Sequence, residues 1–139
     1  MKERLRHIGI VTEKINESVD FYSRFFNFRV VNDQNESGHF INTILGKECT
    51  VRTVKMTNGE FTIELLSFSD YQSSNFDIFT LGCTHIALTV SSVKNIFKKL
   101  SDSGFSFISS PAISQDGNAK VCFLKDPNNN FFIELVEEL

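Results

Sequence analysis

The stretch Phe61-Thr62-Ile63-Glu64-Leu65-Leu66 decides the fold, because it returns seventy positions later as Phe131-Phe132-Ile133-Glu134-Leu135-Val136. A second pair, His7-Ile8-Gly9-Ile10-Val11 and His85-Ile86-Ala87-Leu88-Thr89, repeats in the same order, the His segment first and the Glu segment second. Two short matches in one order point to a duplicated unit. Each half reads as strand, helix, then three strands. In the first, residues 5–11 alternate like a strand, and Asn16 is placed to cap a helix through Phe26 with Val19, Tyr22 and Phe26 on one face. Residues 29–32 read as a strand and 34–38 as a polar loop. Residues 51–56 and 60–68 form a hairpin turned at Asn58-Gly59. In the second half, 83–90 is a strand, and Ser91 or Ser92 caps a helix that carries Val93, Ile96, Phe97 and Leu100 and stops at Gly104. Residues 105–109, 119–124 and 130–136 supply its remaining strands. The class is α+β: tandem βαβββ modules, residues 1–70 and 82–139, joined by a polar linker over 71–81. Each sheet is covered by its helix on one face, and the uncovered faces are expected to curl around a cleft.

Composition sets the bounds. A chain of 139 residues with 41% apolar and 22% charged residues has ordinary globular usage, which excludes disorder. Fourteen Lys and Arg against seventeen Asp and Glu leave a net charge of −3, which argues against non-specific nucleic-acid binding or a polybasic membrane surface. No apolar run approaches the roughly eighteen residues of a membrane span, and the apolar stretch after the charged start is too short for a signal-peptide core. Cys49, Cys83 and Cys122 show no paired spacing, so the expectation is no disulfide and a reducing cytoplasm. Cys83 reads as a small buried residue. Of fifteen Phe, most are expected to fill two small cores; Phe132 shares strand parity with Glu134 and is expected to look into the cleft.

Strand alternation decides which side chains share a face. Ile8 and Ile10 point one way, His7, Gly9 and Val11 the other; Ile86 and Leu88 are likewise separated from His85, Ala87 and Thr89. The branched apolar set suits a covering helix, which leaves each His on the opposite face. Glu64 and Glu134, each between two apolar neighbours, fall on that same helix-free face. A lone strand Glu would ordinarily face solvent and a lone His would be structural, but independent surface residues have no reason to follow the repeat. A carboxylate among apolar neighbours is costly unless solvated, paired or bound to a cation. Two imidazoles and two carboxylates suit a divalent first-row metal with positions left for water or substrate. Arg52 and Lys55 are candidate anchors for a substrate carboxylate or phosphate, or else exposed charges on an edge strand. His39 reads as a loop residue.

The His7-Ile8-Gly9-Ile10-Val11 segment, the Phe21-Tyr22 pair, Ile63-Glu64-Leu65, His85-Ile86-Ala87-Leu88, Asp126-Pro127 and Ile133-Glu134-Leu135 together resemble the vicinal oxygen chelate superfamily. That group includes glyoxalase I, methylmalonyl-CoA epimerase, extradiol dioxygenases, and the fosfomycin and bleomycin resistance proteins. The resemblance implies a metal site on strand-borne His and Glu positions, with His7, Glu64, His85 and Glu134 at the four ligand places of glyoxalase I. It implies a Zn, Ni, Co or Mn ion, a substrate with vicinal oxygens, an enediolate or enolate intermediate, and Glu134 or Glu64 as the proton-shuttling carboxylate. A homodimer is also implied. Extradiol chemistry would instead use Fe(II) on His7, His85 and Glu134, and a resistance protein would bind its drug without chemistry.

Overall fold

The computed structural model describes residues 2–139; Met1, the first residue of the expected first module, lies outside them. The chain divides into two compact units between Ser74 and Asn75. Unit 1 runs β1 (Ile8–Val11), α1 (Ile15–Phe26), β2 (Arg29–Glu36), α2 (His39–Leu45), β3 (Val51–Thr57) and β4 (Thr62–Phe68). Unit 2 runs β5 (His85–Thr89), α3 (Val93–Asp102), β6 (Ala112–Ile113), β7 (Ala119–Lys125) and β8 (Phe132–Glu138). Each unit has its own four-stranded mixed sheet, ordered β1-β4-β3-β2 in the first and β5-β8-β7-β6 in the second. In both, the first strand pairs parallel with the last and the other pairings are antiparallel, so the duplication is carried in the strand order itself.

In unit 1 the helix-side face holds Ile10, Val54, Met56, Ile63 and Leu65, all buried. Helix α1 covers them with Ile15, Ser18, Phe21, Tyr22 and Phe26, spaced by threes and fours as one helical face requires. The rings of Phe21, Tyr22, Phe26 and Phe28 meet at 5.3–6.3 Å, mostly edge to face. Burying each such side chain is worth about 1.5–3 kcal/mol, so this aromatic cluster fixes the helix on the sheet. The helix stops because Asn27 turns left-handed at φ 61 and its N–H donates to the Tyr22 carbonyl.

Unit 2 is built alike around Ile86, Val93, Leu100, Cys122, Leu124, Ile133 and Leu135. Ser92 caps α3, its Oγ accepting from the Asn95 N–H at 3.3 Å. Glu137 of β8 accepts from the Val93 N–H at 2.8 Å, which ties the start of the helix to the sheet with a charge of the favourable sign.

Several expectations need correction. Asn16 lies inside α1 and does not cap it; Thr12 Oγ1 accepts from the Lys14 N–H at 2.9 Å, while the Asn16 side chain serves Arg52. The polar run after Asn32 is strand as far as Glu36, with a bulge between Val30 and Asn32. It is an exposed edge held by the β3 ladder, where polar side chains discourage further pairing. No element was expected over 39–45, yet α2 forms there and buries Ile41; His39 begins it and is exposed. Residues 105–109 make only an isolated bridge, Phe107 with Leu124, and the fourth strand of unit 2 is β6. Cys83 is exposed, because the strand starts at His85.

Candidate metal centre

The parallel pairings set the site. β1 beside β4 puts Gly9 opposite Glu64, and β5 beside β8 puts Ala87 opposite Glu134. His7 and His85 stand two residues earlier than Gly9 and Ala87, hence on the same face as the carboxylates. In unit 1, His7 Nε2 lies 3.8 Å from Glu64 Oε1; in unit 2, His85 Nε2 lies 3.5 Å from Glu134 Oε2. Gly9 keeps the first of these faces open: a Cβ there would come within 3.1 Å of Leu66 Cδ1.

The donor chemistry fits a divalent metal. Two ligand atoms each about 2.1 Å from an ion and about 110° apart lie roughly 3.4 Å from each other, close to both observed separations. Each unit therefore presents one imidazole and one carboxylate as a two-ligand set. Among the described residues no group of three or more His, Cys, Asp or Glu side chains is gathered as a metal cluster. In unit 2 the ring is further fixed: His85 Nδ1 lies 3.0 Å from the hydroxyl of buried Thr84. With Nδ1–H donating to Thr84 Oγ1, the lone pair of Nε2 is directed to the Glu134 side. Thr84 was not singled out from the sequence, although its place next to His85 was the available signal. In unit 1, Arg6 occupies the corresponding place and is exposed.

The duplication breaks directly opposite each carboxylate. Opposite Glu64, across the β3–β4 ladder, stands Lys55; opposite Glu134, across β7–β8, stands Phe123. Lys55 Nζ is 3.5 Å from Glu64 Oε2, so one carboxylate oxygen meets the ammonium and the other faces His7. Phe123 instead meets His85 edge to face, with ring centres 5.3 Å apart.

Arg52 and Lys55, grouped as anchors by sequence, point to opposite faces because they stand three positions apart on one strand. Arg52 lies on the helix side. Its Nε and Nη2 donate to the two oxygens of Asp33 at 3.0 and 2.9 Å, and its Nη1 to Asn16 Oδ1 at 2.9 Å. The hydrogen bond from Arg52 holds the Asp33 carboxyl below its usual range and, reciprocally, raises Arg52. Phe132 is on the Glu134 face by register but is buried, stacked against Phe76 with ring centres 5.9 Å apart. The linker thus covers the apolar wall expected at Phe132.

A family profile described as the Glyoxalase/Bleomycin resistance protein/Dioxygenase superfamily matches residues 4–134, and the chain belongs to that superfamily. Among solved structures, it is similar to a glyoxalase family protein from Bacillus cereus at 19% identity and a TM-score of 0.82, covering 100% of this chain and 96% of that one. The trypanothione-dependent glyoxalase I of Leishmania major is similar at 20% identity and TM-score 0.67, over 99% and 88% of the two chains. The fosfomycin resistance protein FosX from Listeria monocytogenes is similar at 13% identity and TM-score 0.68, over 100% and 96%. A variant of that protein has been solved with Mn(II) and a dihydroxypropylphosphonic acid. These likenesses establish the fold. No curated protein sequence matches. No helix among the described residues is long and apolar enough to cross a membrane.

Proposed function

We propose that the protein is a divalent-metal-dependent lyase or isomerase that moves a proton on carbon beside a carbonyl, in the manner of glyoxalase I or methylmalonyl-CoA epimerase, through an enediolate or enolate. The observation that carries this reading is the duplicated imidazole–carboxylate pair, 3.8 Å in one unit and 3.5 Å in the other, at matching ladder positions. His7, Glu64, His85 and Glu134 are the ligands, and Zn, Ni, Co or Mn suits them. When bound, such an ion supplies Lewis-acid polarisation of a substrate's vicinal oxygens. Glu134, with Phe123 opposite it and no ammonium, is the carboxylate that takes and returns the substrate proton; Glu64, tied to Lys55, is the restrained one. Thr84 holds the His85 ring in place while this occurs. The same reading takes the protein to be a cytoplasmic homodimer.

Metal analysis of the purified protein, a metal titration, and assays on a hemithioacetal and an acyl-CoA test the proposal together. Glu134→Gln is expected to lower turnover by about 10²- to 10⁴-fold with weaker metal binding. Near-wild-type rates would remove Glu134 from its role. A protein that carries no divalent metal and takes none up would remove the enzyme reading.

One observation favours a second reading. With Glu64 occupied by Lys55, the remaining set of His7, His85 and Glu134 is the two-imidazole, one-carboxylate combination that suits Fe(II) dioxygenases. Oxygen uptake on a catechol by Fe(II)-loaded protein, absent with Zn or Ni, distinguishes it.

A further inference from the structure

We infer that Lys55 and Thr53 form a carboxylate-binding subsite beside the His7–Glu64 pair, so that the substrate is a small carboxylic acid bearing vicinal oxygens. This rests on the metal-dependent reading above.

Lys55 pairs with Glu64, and Thr53 with Leu66, in the β3–β4 ladder. Both β3 side chains therefore stand on the helix-free face that carries His7, about 6–7 Å apart along the strand, a gap the lysine stem can span. Thr53 is 4% exposed and its Oγ1 has no hydrogen-bond partner among the described residues. A buried hydroxyl left unmatched is destabilising, and an incoming acceptor oxygen removes that cost. The Lys55 ammonium has three donors, and its contact with Glu64 at 3.5 Å is a loose ion pair that leaves capacity for another anion.

The repeat shows that neither residue is there to serve the fold. In unit 2 the same ladder places, opposite Glu134 and Val136, hold Phe123 and Val121. A sheet of identical order closes there, and its carboxylate is accommodated, without a cation or a hydroxyl. The polar pair is thus an addition to one copy, beside one of the two candidate ligand pairs.

Charge count selects the ligand. Of the two β3 cations, Arg52, whose planar fork suits phosphate, is on the far face and bonded to both oxygens of Asp33. One ammonium and one hydroxyl match the single charge and two oxygens of a carboxylate rather than a phosphate dianion.

Glycolate, which joins a carboxylate to a vicinal hydroxyl, is the probe, titrated calorimetrically into metal-loaded and metal-free protein, with ethylene glycol and inorganic phosphate as comparators. Wild-type protein is expected to prefer glycolate over both. Lys55→Met should weaken glycolate at least tenfold, Lys55→Arg should restore most of it, and Thr53→Val should weaken it several-fold. Lys47→Met, which removes a lysine outside the β3–β4 ladder that is paired with Asp70, should leave it unchanged. Melting curves and metal titration of each variant show that it is folded. Glycolate binding by folded Lys55→Met at the wild-type level, or tighter binding of phosphate than glycolate, overturns the subsite. Failure of wild-type protein to take up metal overturns the parent reading instead. The subsite is then decided by metal-free titration: loss of glycolate binding in Lys55→Met supports it, and equal binding ends it.

Discussion

Replacing Thr84 by Val removes a hydroxyl and almost nothing else, since the two side chains have nearly the same shape. Thr84 is buried and its Oγ1 lies 3.0 Å from His85 Nδ1. In the metal-free protein a hydrogen bond of this kind is worth about 1 kcal/mol, so stability should fall by about that much. The consequence for metal binding is larger. A ring whose Nε2 is bound to a cation becomes a stronger donor at Nδ1, and a hydrogen bond to a charged group is worth about 1.5–3 kcal/mol. Loss of such orienting partners typically lowers metal affinity about 10- to 100-fold, or about 1.4–2.8 kcal/mol, which agrees with that range. Phe123 restrains the ring from only one side, edge on at 5.3 Å, and does not replace the bond. Calorimetric titration with Zn(II) or Mn(II), on wild type, Thr84→Val and Thr84→Ser, measures the effect. Thr84→Ser keeps the hydroxyl and should bind within a few-fold of wild type. A Thr84→Val protein that melts like the wild type and binds metal within twofold of it would refute the assignment of Thr84 as a positioning residue.

Two further outcomes concern groups outside the site. Arg52→Met frees Asp33, whose carboxyl is held low chiefly by the hydrogen bond from Arg52. A depressed carboxylate adds stability above its unfolded value, near 3.8, and loses it as pH falls through the folded one. The wild-type advantage in urea unfolding should therefore be present at pH 7 and shrink below about pH 4; since both side chains are about a third or more exposed, it should stay under about 1 kcal/mol. An advantage of equal size at pH 7 and pH 3 contradicts this. Burial pushes the Cys122 thiol up to about 11, while Cys83 is exposed. At pH 8 about one Cys122 in a thousand is thiolate, roughly a hundredfold fewer than for an ordinary thiol. Iodoacetamide followed by mass spectrometry should label Cys83 first and Cys122 only on unfolding; equal labelling rates would show that Cys122 is not enclosed.

What the sequence by itself determined was the duplication and the parity of its strands. Those two readings needed no long-range information: a strand alternates with period two, a helix-covered face demands branched apolar residues, and His7, Glu64, His85 and Glu134 fall on the other face in both copies. The register then brought each His within 4 Å of the Glu of its own half. Where reading by burial pattern had no signal, the second half of β2 and all of α2 were missed. The β2 edge is strand by hydrogen bonding alone, and α2 buries a single residue, Ile41, among the described residues.

Only the tertiary structure decided which side chains the ladders set against those carboxylates. Antiparallel register between β3 and β4 is fixed by the hairpin and by packing under α1, and it sets Lys55, not Arg52, at Glu64. The linker ring of Phe76 takes the apolar surface of Phe132, and Thr84 finds the free nitrogen of His85. Local alternation tells a residue which face to take. Its neighbours on that face come from strands up to dozens of residues away, and their alignment is set by the packed core as a whole.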